Sequence, residues 1–272
     1  MTELKELCKK NILAYIFVFA TLMIFFKIFI PSSLTNKFFL ASILFKAMLV
    51  VGVIIILNKN VFINVEFYRN KLLLPICLVF LVFSLIHAHR LVNLQSSPVS
   101  NVRFILYFIH CLITGFYEEF LFRLLIFGMV SAYLLSLHKQ SIFKSVFFSS
   151  LIFALCHLTN LFDINYDYIG VFNQVLFAFL IGFVLQSIYL KCRNIFVVAI
   201  FHAIINFTGT FNSKLLLTTH SSIPEINLNQ VCNTLLTFIA FGIVIVLPIS
   251  LYCLRGTKNN VVNMETIKMY LK

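Results

Sequence analysis

FILYFIHCLITGFYEEFLFRLLIFGMVSAYLLSL, residues 104–137, is an apolar stretch whose only formal charges, Glu118, Glu119 and Arg123, crowd into six residues. It is longer than the roughly 20 residues that carry a helix across a hydrocarbon core. It therefore reads as one long tilted helix, or as a helix followed by a second membrane-embedded piece. Charged side chains at bilayer depth cost roughly 2.5 to 3.5 kcal/mol each on insertion scales. Three together must pair, ligate or do chemistry, which makes the cluster a candidate functional site.

The rest of the chain agrees with a membrane setting. It is 61% hydrophobic and 11% charged, with a mean hydropathy of +1.01, whereas soluble domains carry about 25% charged residues. Apolar runs at residues 11–30, 38–57, 72–88, 104–124, 141–158, 169–190, 194–208 and 234–254 predict an all-α, polytopic membrane protein of about eight transmembrane helices in one bundle. The first run is expected to remain as a span, being too long for a signal peptide and lacking a small-residue cleavage site. No repeat or linker is visible, so residues 1–272 read as a single membrane domain.

The net charge of +12 reports topology rather than nucleic-acid binding. With a cytoplasmic amino terminus, the inside segments hold fourteen Lys and Arg and the outside segments four, which places both termini inside by the positive-inside rule. The seven cysteines are scattered and form no CxxC pair, so they read as small core residues rather than a disulfide framework.

Some polar residues within the runs have ordinary explanations. Lys27 can snorkel to the interface, and Gln174 and Gln186 can hydrogen-bond between helices. Lys46, near the middle of the second run, calls for a carboxylate, a carbonyl or a water-filled cavity beside it.

Helical spacing divides the acidic pair. Residues four apart stack on one face while neighbours diverge by about 100°. Glu119 lies one turn before Arg123, in the favourable order for an ion pair, whereas Glu118 lies one turn before Phe122 and meets no base on its own helix. Glu119 is thus expected to neutralise and position Arg123, leaving Glu118 to work. Gly115, one turn upstream, either lets another helix approach or admits a substrate backbone.

Two further runs repeat the one-turn spacing, with Phe153 and His157 in one and His202 and Asn206 in the other. A single histidine in an apolar helix is more often a satisfied interior residue than a catalyst. One carboxylate, two histidines and an asparagine on three apolar helices nevertheless supply a general base, an imidazole partner and donors for a developing oxyanion.

The ordered set Glu118-Glu119-x-x-x-Arg123, Phe153-x-x-x-His157 and His202-x-x-x-Asn206 resembles the CPBP intramembrane proteases. These comprise the type II CAAX prenyl endopeptidases and the bacterial Abi proteins linked to bacteriocin processing and self-immunity. The resemblance covers residues 104–208, the core carrying the three motifs. It implies an intramembrane endopeptidase in which Glu118, aided by His157, activates a water, while His202 and Asn206 stabilise the oxyanion. Glu119, Arg123 and Phe153 would support the site. The substrate would be a membrane-associated peptide or protein, prenylated and CAAX-type or a leader peptide, met in a lipid bilayer.

The residue types leave the cofactor open. Glu118, His157 and His202 could supply three ligands to a divalent metal such as zinc, yet the HExxH arrangement is absent, and a water activated by glutamate alone is the preferred reading. The alternative function is a non-proteolytic membrane immunity or scaffold protein that binds a peptide or partner. A proton-coupled transporter has no visible repeat to support it. The absence of an organellar transit pattern fits a bacterial plasma membrane. Counting about 1.5 Å per residue puts His157 towards the outer side and His202 near mid-membrane, so either a helix tilts, breaks or begins within the interface, or the orientation is the inverse of the one assigned.

Overall fold

A computed structural model describes residues 36–57, 100–136, 142–162, 168–210 and 228–255, with four isolated positions nearer the amino terminus. The described elements are all helical, with no strand among them. They are α1 (Asn36–Leu57), α2 (Asn101–Glu119), a π-helical segment (Phe120–Ile126), α3 (Phe127–Ser136), α4 (Ile142–Cys156), a 3-10 segment (His157–Phe162), α5 (Tyr168–Cys192), α6 (Ile195–Gly209), α7 (Leu228–Phe241), a second π segment (Gly242–Val246) and α8 (Leu247–Leu254).

Four described stretches are long and apolar enough to cross a membrane: Asn101–Ser131, Ile142–Phe162, Tyr168–Cys192 and Val231–Leu254. They correspond to the runs expected at 104–124, 141–158, 169–190 and 234–254. The runs at 38–57 and 194–208 form shorter apolar helices, Phe39–Ile54 and Ile195–Gly209. Those at 11–30 and 72–88, with Lys27, lie outside the described stretches. The four long spans therefore support the membrane class without establishing eight crossings. The stretch after residue 104 follows the long-helix expectation, with a change to π geometry directly after Glu119.

Chain contacts separate two units. One comprises Ile30–Leu121 with Cys192–Ser221, and the other Met1–Phe29, Phe122–Lys191 and Ser222–Lys272.

In the first unit α2 packs against both α1 and α6. Phe39 of α1 turns its ring edge towards Tyr107 at 6.1 Å between centroids, and Phe39, Tyr107 and Cys111 are buried together. The Tyr107 hydroxyl donates to the Phe207 carbonyl near the end of α6. Close approach of α2 and α6 occurs at Gly115, where a Cβ would lie 2.5 Å from Ala199 O and 2.7 Å from Ala203 N. The space beside Gly115 is thus filled by the backbone of α6, which answers the choice between helix packing and substrate access in favour of packing.

Local sequence explains how α6 begins. Arg193 takes φ 50, the left-handed conformation that ends helices and reverses chains. Buried Asn194 then caps α6, its Oδ1 accepting from Phe196 N at 3.0 Å and Val197 N at 3.2 Å. Those two N–H groups have no intrahelical partner.

In the second unit Phe153 of α4 is buried against Gly182 of α5, where a Cβ would come within 2.8 Å of the Phe153 ring. Asn160 Nδ2 donates to Gln174 Oε1, so Gln174 does bond from α5 to another element. Gln186 departs from its expectation: it is fully buried, and neither amide atom has a hydrogen-bond partner among the described residues.

Gly115→Val should cost about 1 to 3 kcal/mol by overpacking, and Asn194→Ala about 1 kcal/mol by loss of the cap. Both are measurable as a lower unfolding midpoint of the purified protein in a denaturing-detergent titration.

Candidate active site

The last turn of α2 delivers two carboxyl groups to one imidazole. His202 of α6 places Nδ1 2.7 Å from Glu119 Oε1 and Nε2 3.2 Å from Glu118 Oε2. Adjacent residues on a helix cannot share a face, but the two ring nitrogens lie on opposite sides of the imidazole and so meet both. Glu118 therefore has a partner, supplied by α6 rather than by its own helix. Sequence spacing missed this because it counts neighbours along one helix only.

Accessibility is graded along this bridge. The Glu119 side chain is 0% exposed, that of His202 5% and that of Glu118 17%. Glu118 is the end that a water or substrate can reach.

His202 Nδ1 and Glu119 Oε1 are joined by a hydrogen bond at 2.7 Å, and His202 Nε2 faces Glu118 Oε2 at the more exposed end of the bridge.

Asn206 lies one turn beyond His202 on α6. Its Nδ2 is buried and makes no hydrogen bond among the described residues, and such a donor is suited to an incoming oxyanion. The backbone here is tied down by Thr210, whose N and Oγ1 both donate to Asn206 O, at 3.1 and 2.8 Å.

The second unit gathers Arg123, Phe153 and His157. Phe153 presents its ring to the Arg123 guanidinium at 5.0 Å and meets Phe122 edge-on at 4.8 Å. His157 also lies edge-on to it at 4.8 Å. A ring between an arginine and a histidine explains the one-turn Phe-to-His spacing: the aromatic face stabilises the cation and its edge fixes the imidazole.

His157 Nδ1 lies 2.9 Å from Phe153 O. A carbonyl only accepts, so Nδ1 carries the proton and the neutral ring's lone pair is on Nε2. The α-helix gives way to 3-10 geometry at His157 itself.

Among the described residues no group of three or more His, Cys, Asp or Glu side chains could hold an ion. Both nitrogens of His202 are directed at carboxyl oxygens.

Lys46 donates from Nζ to Thr114 Oγ1 at 2.7 Å, and Thr114 donates its own hydroxyl proton to His110 O at 2.6 Å.

Comparison with known proteins found no match among curated proteins or among solved structures. A family model does match. Residues 100–208, which enclose all three motifs, carry a domain described as type II CAAX prenyl endopeptidase Rce1-like, consistent with the CPBP family.

Proposed function

We propose that this protein is an intramembrane endopeptidase that hydrolyses a peptide bond of a membrane-associated substrate, prenylated and CAAX-type or a leader peptide, with a water activated by glutamate. The matched family is a protease family. The observation that carries the reading is the graded bridge, in which a fully buried Glu119 backs His202 and His202 backs a partly exposed Glu118.

In this reading Glu118 accepts a proton from water, and the hydroxide oxygen attacks the scissile carbonyl carbon. Charge then moves to the carbonyl oxygen, where Asn206 Nδ2 donates. Collapse of the tetrahedral intermediate breaks the C–N bond, and Glu118 returns its proton to the departing amine. His202 holds Glu118 in orientation and shares its proton, a role favoured by the two carboxyl contacts over the oxyanion role that the family resemblance implies. His157 is the imidazole that the family resemblance assigns to assist Glu118. Arg123 and Phe153 keep His157 in place, and Glu119 anchors the far nitrogen of His202.

Every step is written for protein side chains and water, the preferred reading of the residue types, which lack the HExxH arrangement. Activity of the purified protein should therefore survive chelation. Loss of activity with recovery on zinc re-addition would reject this part of the mechanism.

Glu118→Ala should abolish cleavage while the protein still inserts and accumulates. Proteomics of membrane peptides from wild-type and Glu118→Ala cells tests the activity and identifies substrates together. Identical peptide profiles, with the cellular phenotype kept in the variant, would instead favour a non-proteolytic immunity or scaffold protein. Asn206→Ala should lower kcat by about 10² to 10³, the usual effect of removing an oxyanion donor, with KM little changed in a single-substrate assay.

A further inference from the structure

Lys46 belongs to none of the three motifs, yet it is 8% exposed and stands at mid-length in α1. Its ammonium is held by Thr114, whose hydroxyl proton is committed to His110 O, so the oxygen presents lone-pair density to Nζ. Thr114 precedes Glu118 by four residues on α2. The two share a helix face and are separated by about 6 Å along the axis. Lys46, Thr114, Glu118, Glu119 and His202 all lie in one unit.

Glu118 and Glu119 both meet the imidazole of His202. Glu118 and Glu119 are also the only carboxylate side chains among the described residues. Arg103 is partly exposed at the start of α2 and Arg193 is exposed in the turn before α6. Lys46 is the buried basic group among the side chains described in this unit.

We infer that Lys46 is a positioning residue for the reaction: stationed by Thr114, its ammonium is the counter-charge of the Glu118–His202–Glu119 bridge and holds that bridge in its working form inside the membrane. The inference rests on the proteolytic reading for its effect on turnover, but the electrostatic link itself does not. Two unit charges about 8 Å apart at an effective dielectric near 20 change an equilibrium by more than about tenfold. A lysine serving only to tie α1 to α2 would be replaced adequately by a neutral donor of similar length.

The test uses the purified full-length protein as wild type, Lys46→Gln, Glu118→Gln and the double variant. Unfolding midpoints should be non-additive, with Lys46→Gln costing less once Glu118 is neutral; additive shifts would overturn the inference. In a peptide-cleavage assay Lys46→Gln should lower kcat about tenfold or more, with KM within about threefold. Lys46→Arg should restore most of the rate. Wild-type turnover in Lys46→Gln would be equally fatal.

Should Lys46→Gln fail to accumulate, recovery of folded protein in the Glu118→Gln background supports the counter-charge, and failure in both backgrounds rejects it. A wild-type protein that cleaves nothing removes the proteolytic reading and leaves the midpoint comparison to decide this one.

Discussion

Contact of one imidazole with two carboxyls from adjacent residues is the constraint on which the first unit depends. Isolated carboxylates in a hydrocarbon setting lose hydration that nothing replaces. Here His202 hydrogen-bonds Glu119 and sets its other ring nitrogen against Glu118. For this to happen, α6 must come close enough for a ring to fit between two short side chains. Gly115 and the small residues Ala199 and Ala203 meet that requirement, because any side chain at residue 115 would collide with α6 backbone. Tyr107 secures the same pair of helices farther along through the Phe207 carbonyl. Packing and chemistry are therefore one design problem: the glycine that admits α6 also sets the reach of both glutamates.

The second unit solves a different problem with an aromatic ring. Arg123 has a delocalised charge that a ring face can stabilise without accepting a hydrogen bond, and Phe153 supplies that face while its edge abuts His157. The Phe153 carbonyl fixes the tautomer of the same histidine. One residue thus sets both the orientation and the proton position of His157, which accounts for a Phe-to-His spacing of one turn more fully than either packing or hydrogen bonding alone.

Much of this was legible in the sequence, and the remainder was hidden for physical reasons. The membrane class and the long helix after residue 104 follow from hydropathy, and the candidacy of Glu118 from the cost of buried charge. One-turn periodicity correctly paired Phe153 with His157. Periodicity could not reveal that His202 reaches both glutamates, because that contact depends on how α2 and α6 approach, a tertiary property. The partner of Lys46 was hidden for the same reason: an ammonium accepts any oxygen, and α2 offers Thr114. The unsatisfied amide of Gln186 is also invisible in one dimension, where a glutamine in an apolar run looks like helix glue.

Two of the three motif-bearing helices depart from α geometry where their working residues stand. Directly after Glu119 the chain becomes π-helical, and the Phe120 N–H is shared between the carbonyls of Phe116 and Tyr117. At His157 α4 tightens to 3-10. Neither change follows from composition, since Phe120–Ile126 contains strong helix formers and neither glycine nor proline. Both alter the angular step between successive side chains, and a helix of fixed step offers few directions in which to project a functional group. Departures of this kind occur often at functional sites and persist only where surrounding contacts hold them. In this chain those contacts include buried Phe120 packed on Phe196 in the first unit and buried Phe122 and Phe153 packed on each other in the second. The abundance of phenylalanine, 33 residues with no tryptophan, thereby acquires a local purpose: rigid apolar plates hold the irregular turns from which the polar groups project.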